Sequence, residues 1–248
     1  MLKLLSVNFR RAFLRKRFII GGGFPIFIGI LMLFLAYKNN GHVDNMPFMM
    51  SGLLPMLIGI TAGLYISQDY TNNTIRNKII CGHSRTMIYL SNLVTSMLGT
   101  IIIYGVYVLV TLGIGKLIVG VSSDFDMELT IKGILLTFCI FLTFTSLTVM
   151  FCMMMSGVSG TVVSAMLYII LGMLMLPVLF ISNDTINEWM MNLNPSFQID
   201  NVEAYVRNSE LMPVEDYIHI SWIPISSLVM IILSTVLGIS VFNKKDIK

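Results

Sequence analysis

A series of apolar runs, each too long for the core of a small soluble domain, limits this chain more than any other feature. The runs are Phe18–Tyr37, Met46–Ile66, Ile88–Gly120, Leu129–Met155, Val158–Ile181 and His219–Phe242. A helix needs ~20 apolar residues to cross a hydrocarbon layer of about 30 Å, and all six meet that length. The expectation is an all-α integral membrane protein with six spans in a single membrane domain over residues 1–248. Composition agrees: 56% of the 248 residues are hydrophobic and only 12% are charged, about half the charged fraction of a soluble domain. The third run has 33 residues, or ~50 Å of helix, so it must tilt or protrude.

The charges between the runs give an orientation. Residues 1–17, MLKLLSVNFRRAFLRKR, place Leu2, Leu5, Phe9, Ala12 and Phe13 on one helical face. Lys3, Arg10, Arg11, Arg15, Lys16 and Arg17 cover the rest. This reads as an amphipathic helix on the anionic inner leaflet. A signal peptide has a similar outline, but the run that follows is too long and no small-residue cleavage site ends it. With the N-terminus inside, Arg76, Lys78, Arg85, Lys244, Lys245 and Lys248 also fall inside, making twelve of the sixteen basic residues. Eleven of the thirteen acids fall outside, all but Asp69 and Asp246. That asymmetry puts both termini in the cytoplasm. The largest outer loop is then residues 182–218. There Asn183-Asp184-Thr185 can start a short helix carrying Ile186, Trp189, Met190 and Leu193, with Pro195 and Pro213 as punctuation.

The chemistry of several function classes is missing from the sequence. The apolar runs hold almost no ionisable residue, whereas ion- or proton-coupled carriers need carboxylates or histidines at membrane depth. His42, His83 and His219 are isolated, and Cys81, Cys139 and Cys152 have neither metal-ligand nor disulfide spacing. The twenty methionines are scattered among Leu and Ile, as adaptable packing would have them. No G-x-x-x-x-G-K-[ST] loop, H-E-x-x-H helix or G-x-S-x-G elbow occurs. Basic residues sit beside spans without interleaved aromatics, so nothing points to nucleic acid. The chain reads as a non-enzyme that would need a partner to supply energy for active transport.

The longest polar interruption in the first half is Gln68–Tyr89, QDYTNNTIRNKIICGHSRTMIY. Ile75, Ile79 and Ile80 recur at i, i+4 and i+5, which predicts a short amphipathic helix. Asn72, Asn73 and Thr74 are N-cap candidates, Gly82 suits a left-handed helix end, and Ser84 can cap the next helix. Pattern alone leaves two readings open: a helix resting on lipid headgroups, or one received by another protein. Small residues at Ser156-Gly157, Ser159-Gly160, Ser164, Ala165 and Gly172 would let the fifth helix approach a neighbour closely, for packing within the bundle or for a dimer or pathway face.

The block Asp69-Tyr70-Thr71-Asn72-Asn73-Thr74-Ile75-Arg76-Asn77-Lys78-Ile79-Ile80-Cys81-Gly82-His83-Ser84-Arg85, followed by Ile88-Tyr89-Leu90-Ser91, resembles ABC-2 type transporter permeases. Members show an acidic residue, G-T-I-R-N-K and a hydrophobic residue, a Gly, Ser-Arg, and a helix opening Y-L-S-K. The likeness extends to the basic amphipathic start, the six spans, the large loop before the last span and the short basic tail. It implies a permease subunit of a bacterial exporter in the cytoplasmic membrane, paired with a second permease copy or a homologue. The loop over residues 68–86 would hold the coupling helix, received by a cleft on a separate ABC ATP-binding subunit. Asp69, Thr74, Arg76, Asn77, Ile79 and Ile80 would be the contact positions. ATP and Mg would be bound by that partner, leaving this chain without a cofactor of its own. The departures are Asn73, where the family often has Gly, and Asn92, where Lys is common.

The cargo expected from a small chain without intramembrane charge is amphipathic, peptide or lipid-like. Two other classes stay open: a stand-alone immunity or sensor protein that binds an antimicrobial peptide without transport, and a passive channel. The orientation has a direct check. A reporter fused after Ser123 or Asn208 is expected outside, and one after Asn73 or Lys248 in the cytoplasm. An external Asn73 reporter would contradict the assignment, because it inverts the charge bias.

Overall fold

Lipid leaves a backbone no partner but itself, and the chain answers with helices. The computed structural model describes residues 2–13, 16–39, 42–44, 46–48, 52–122, 125–155, 158–173, 184–207 and 220–245, and no strand occurs among them. The helices are α1 Leu2–Phe13, α2 Lys16–Lys38, α3 Leu54–Thr71 and α4 Thr74–Ile80. Next comes α5, continuous over Arg85–Ile118 with a π-helical turn at Leu109–Ile114. It is followed by α6 Met127–Met155, α7 Val158–Met173, α8 Asp184–Leu193, α9 Pro195–Arg207 and α10 Trp222–Lys244.

Among the described residues four helices are long and apolar enough to cross a membrane: α2 over Ile19–Lys38, α5, α6 and α10. α7 is apolar but shorter, and residues 174–181 of the fifth expected span lie outside the described residues. The second expected span, 46–66, differs in position from its helix. α3 starts at Leu54, with Pro55 in its first turn where a missing N–H costs nothing, and continues to Thr71. Met46 and Phe48, counted in the span, are instead buried outside any helix. The added polar end, Gln68–Thr71, stays helical because Asp69 finds partners there, described below.

The bundle is turned inside out relative to a soluble protein. Large apolar side chains face outward along α2 (Ile20, Phe27, Phe34), α7 (Val158, Met166) and α10 (Leu228, Ile232, Val236). Hydroxyls face inward: Thr61, Thr100, Thr145, Ser146, Ser227 and Ser234 are all buried. Most return a hydrogen bond to the carbonyl three or four residues back, and several bridge helices. Thr100 Oγ1 lies 2.7 Å from Thr145 Oγ1 between α5 and α6, and Ser146 Oγ lies 2.6 Å from Ser234 Oγ between α6 and α10. In lipid such bonds and close packing replace the hydrophobic drive to associate.

α6 lies at the centre, against α3, α5, α7, α9 and α10. Its contact with α7 is backbone to backbone: a Cβ on Gly160 would lie 2.5 Å from Cys152 Cα. Gly63 of α3 likewise presses on Thr161, where an added Cβ would sit 2.6 Å from Oγ1. The small residues at the start of α7 therefore serve packing within the bundle at these positions. One core cluster, around Tyr104, Phe141 and Phe144, is closed at its end by α9 through Ile199 and Val202. A second, around Ile66, Tyr89, Val149 and Phe242, lies toward the end where α1 and α4 sit.

Candidate docking site at the α4 end

α4 forms where the isoleucine spacing predicts it, and both of its ends are explained by local chemistry. Asn73 stands at the N-cap with φ 52°, in the left-handed region, and its side chain makes no cap bond. Asn is the residue that best tolerates this conformation after Gly. Asn73 therefore fits a position at which the resembled family often has Gly. At the other end Gly82 has φ 84°. The His83 amide donates to Lys78 O at 3.1 Å and the Gly82 amide to Ile79 O at 2.9 Å, a Schellman closure. Two residues on, Ser84 Oγ accepts from the Met87 amide at 3.3 Å and starts α5.

One face of α4 is fastened to the bundle. Ile75 is 1% exposed, and Ile79 packs half-buried beside it against the second core cluster. Asp69, near the end of α3, is fully buried at 0% exposure. Its Oδ2 lies 2.8 Å from Lys78 Nζ of α4, and its Oδ1 lies 3.5 Å from Arg11 Nη2 of α1. The same Arg11 nitrogen donates to Thr74 Oγ1 at 2.8 Å, on the first residue of α4. A carboxylate removed from water needs such opposite charges, since unpaired burial costs several kcal/mol. The result is a three-way tie between α3, α4 and α1.

α1 closes the arrangement through a residue that pattern reading passes over. The apolar stripe of Leu2, Leu5, Phe9, Ala12 and Phe13 is the face a leaflet-resting helix turns toward lipid. The structure buries Leu4, Asn8 and Ala12, spaced i, i+4 and i+8, and leaves Phe9 exposed. Asn8 Nδ2 donates to Ser91 Oγ and Asn92 Oδ1 of α5, both at 3.0 Å. A polar side chain on a buried face is not found by a hydrophobic count. Its signal is the complementary Ser91-Asn92 pair, which also gives Asn92 a structural role.

The sequence-derived positions therefore separate by direction. Arg76, Asn77 and Ile80 are exposed, Ile80 at 72%. Thr74 and Ile79 are half-buried, and Asp69 is wholly inside. The three exposed residues form a small surface with one apolar knob, one fixed positive charge and one amide. Lys78, one of the basic residues counted on the inner side, turns into the protein at 7% exposure. Beside the tie, the Tyr70 hydroxyl donates to Met153 O at 2.8 Å. Burial first, and then the Cys152 thiol, push that phenol well above its ordinary pKa against the pull of Arg85, so it stays a proton donor. Among the described residues no group of His, Cys, Asp and Glu could hold a metal ion.

No family model and no curated protein matches this chain. The site is thus read from its own chemistry. It presents Arg76, Asn77 and Ile80, with the exposed Cys81 thiol beside them, at the entry to a 34-residue helix.

The buried tie has a measurable consequence. Asp69→Ala removes the buried carboxylate that faces Lys78 and Arg11, and the expected loss of unfolding free energy is about 3–5 kcal/mol. Thermal unfolding of the purified chain in detergent reads it. The double substitution Asp69→Leu/Lys78→Met recovers most of the loss, because a well-packed apolar pair can replace a buried ion pair. No recovery in the double variant would show that the pair does more than satisfy its own charges.

Proposed function

We propose that this chain is the permease subunit of an ATP-driven exporter of the ABC-2 type, with α4 as the coupling helix that docks into a separate ATP-binding subunit. The observation that carries this reading is the division of α4 into two faces. Ile75 and Lys78 are fastened inward, while Arg76, Asn77 and Ile80 stand clear. A helix that only rests on lipid headgroups needs its isoleucines outward and its cations at the rim. Here the main apolar anchor goes to the protein core, and what remains outside is a mixed patch of the kind a protein cleft recognises.

The mechanism follows from continuity of the chain. Cys81 to Ser84 is all that separates α4 from α5, so a push on α4 reaches α5 directly and tilts it as a rigid body. ATP and Mg belong to the partner. In the full reading the chain has six spans, with both termini in the bacterial cytoplasm. It pairs with a second permease copy or a homologue, and moves an amphipathic, peptide or lipid-like cargo outward.

Ile80→Asp and Arg76→Ala test the docking face without touching the core, since both positions are exposed. Seating a carboxylate in an apolar cleft costs several kcal/mol, enough to lose a micromolar complex. Loss of one charge-assisted bond costs roughly 1.5–3 kcal/mol. The expected outcome is an unchanged melting temperature with the ATP-binding subunit lost from Ile80→Asp and weakened in Arg76→Ala on co-purification. Retention of the subunit by Ile80→Asp would rule out docking through this face.

A further inference from the structure

Arg85 occupies a position that local electrostatics disfavours. Ser84 is the N-cap of α5, so Arg85 is its first helical residue and places a cation at the positive end of that helix's dipole. A residue that breaks a local rule is held there by something else. The half-buried side chain leaves α5 altogether and reaches the last turn of α10. Its Nη1 donates to the carbonyls of Phe242 and Asn243, both at 3.0 Å, and to that of Lys245. The last carbonyls of a helix have no i+4 amide to receive, the Phe242 one here accepting only the Lys245 amide at 3.4 Å, and a cation there complements the negative end of the dipole.

Other contacts make this corner rigid. Lys245, just past α10, sends Nζ to Met153 O near the end of α6 at 3.2 Å and stacks over the Tyr70 ring of α3 at 4.8 Å from its centre. Tyr70 donates to the same Met153 carbonyl. Deeper in, a Cβ on Gly238 of α10 would lie 2.2 Å from the Tyr89 hydroxyl of α5, so the two helices run in close contact below the Arg85 clasp. The last turn of α10 thus has no slack between α5 and α6.

We propose that Arg85, the first residue of α5, is the positioning residue that ties the entry of α5 to the end of α10, so that a displacement of α4 passed on through the turn to α5 moves the last helix as well. The inference rests on the docking reading for what displaces α4 in the cell, but the tie itself is a property of this chain. It adds a second lever to chain continuity: α5 is pulled through the backbone and α10 through the Arg85 guanidinium. A guanidinium suits the task because its planar, always charged group is held in a fixed orientation toward the helix end, which an ammonium on a flexible stem does less well.

The test needs no partner and so stands apart from the docking experiment. Gly82→Ala strains the end of α4, since φ is 84° and the added Cβ meets no atom within 4 Å. The perturbation is therefore local to the backbone. Amide hydrogen exchange is then followed in the full chain in lipid nanodiscs, over α4 and over residues 239–245. With Arg85 present, Gly82→Ala should speed exchange about fivefold in α4 and raise it measurably in 239–245. In Arg85→Gln exchange over 239–245 is faster at the outset, and Gly82→Ala adds nothing there while still acting on α4. Arg85→Lys gives a response between the two and carries the test if Arg85→Gln does not fold. A full response at 239–245 in either Arg85 variant, or none with Arg85 intact, would overturn the assignment. Failure of the ATP-binding subunit to co-purify would instead remove the docking reading and leave the tie standing.

Discussion

The buried carboxylate of Asp69 is the constraint on which the α4 end depends. A charge with no access to water must be surrounded by opposite charge, and this one draws partners from two other helices, Lys78 from α4 and Arg11 from α1. Meeting that demand extends α3 past its apolar limit and rolls α4 so that Lys78 faces inward. It also seats α1 against α5, where Asn8 meets Ser91 and Asn92. The exposed set of Arg76, Asn77 and Ile80 is what remains once those inward bonds are made. The outward orientation of these three residues is thus a by-product of electrostatic satisfaction inside.

The remainder of the bundle obeys a different economy. With apolar side chains outside, hydrophobic burial cannot hold the helices together as it would in water, and close approach with shared hydroxyl bonds takes its place. The Gly160 contact with the α6 backbone and the Thr100–Thr145 and Ser146–Ser234 pairs are examples. Rigidity of this kind makes the Arg85 clasp effective, because a tie passes on motion only if the bodies it joins are stiff.

The sequence announces some of this and hides the rest, for identifiable reasons. The long apolar helices and α4 follow from run length and isoleucine spacing, signals carried by many residues at once. The left-handed turn at Gly82 and the Ser84 cap follow from residue chemistry that has few uses elsewhere. The inward face of α1 is hidden because Asn8 is polar and its partners lie more than eighty residues away. The inward turn of Lys78 is hidden for the same reason: its partner, not its own pattern, decides its direction. The start of α3 at Leu54 has a local signal in Pro55, a first-turn residue, but the unbroken apolar run from Met46 masks it. The π-helical turn at Leu109–Ile114 has no signature that periodicity detects.

The central claim is that the outer face of α4 meets an ATP-binding protein, and cross-linking in native membranes tests it most directly. A photoreactive phenylalanine analogue at position 80, which is 72% exposed, is compared with one at position 75, which is 1% exposed. The account predicts an adduct from position 80 that mass spectrometry identifies as a protein with a P-loop, and none from position 75. Adducts from position 80 with lipid alone would contradict it.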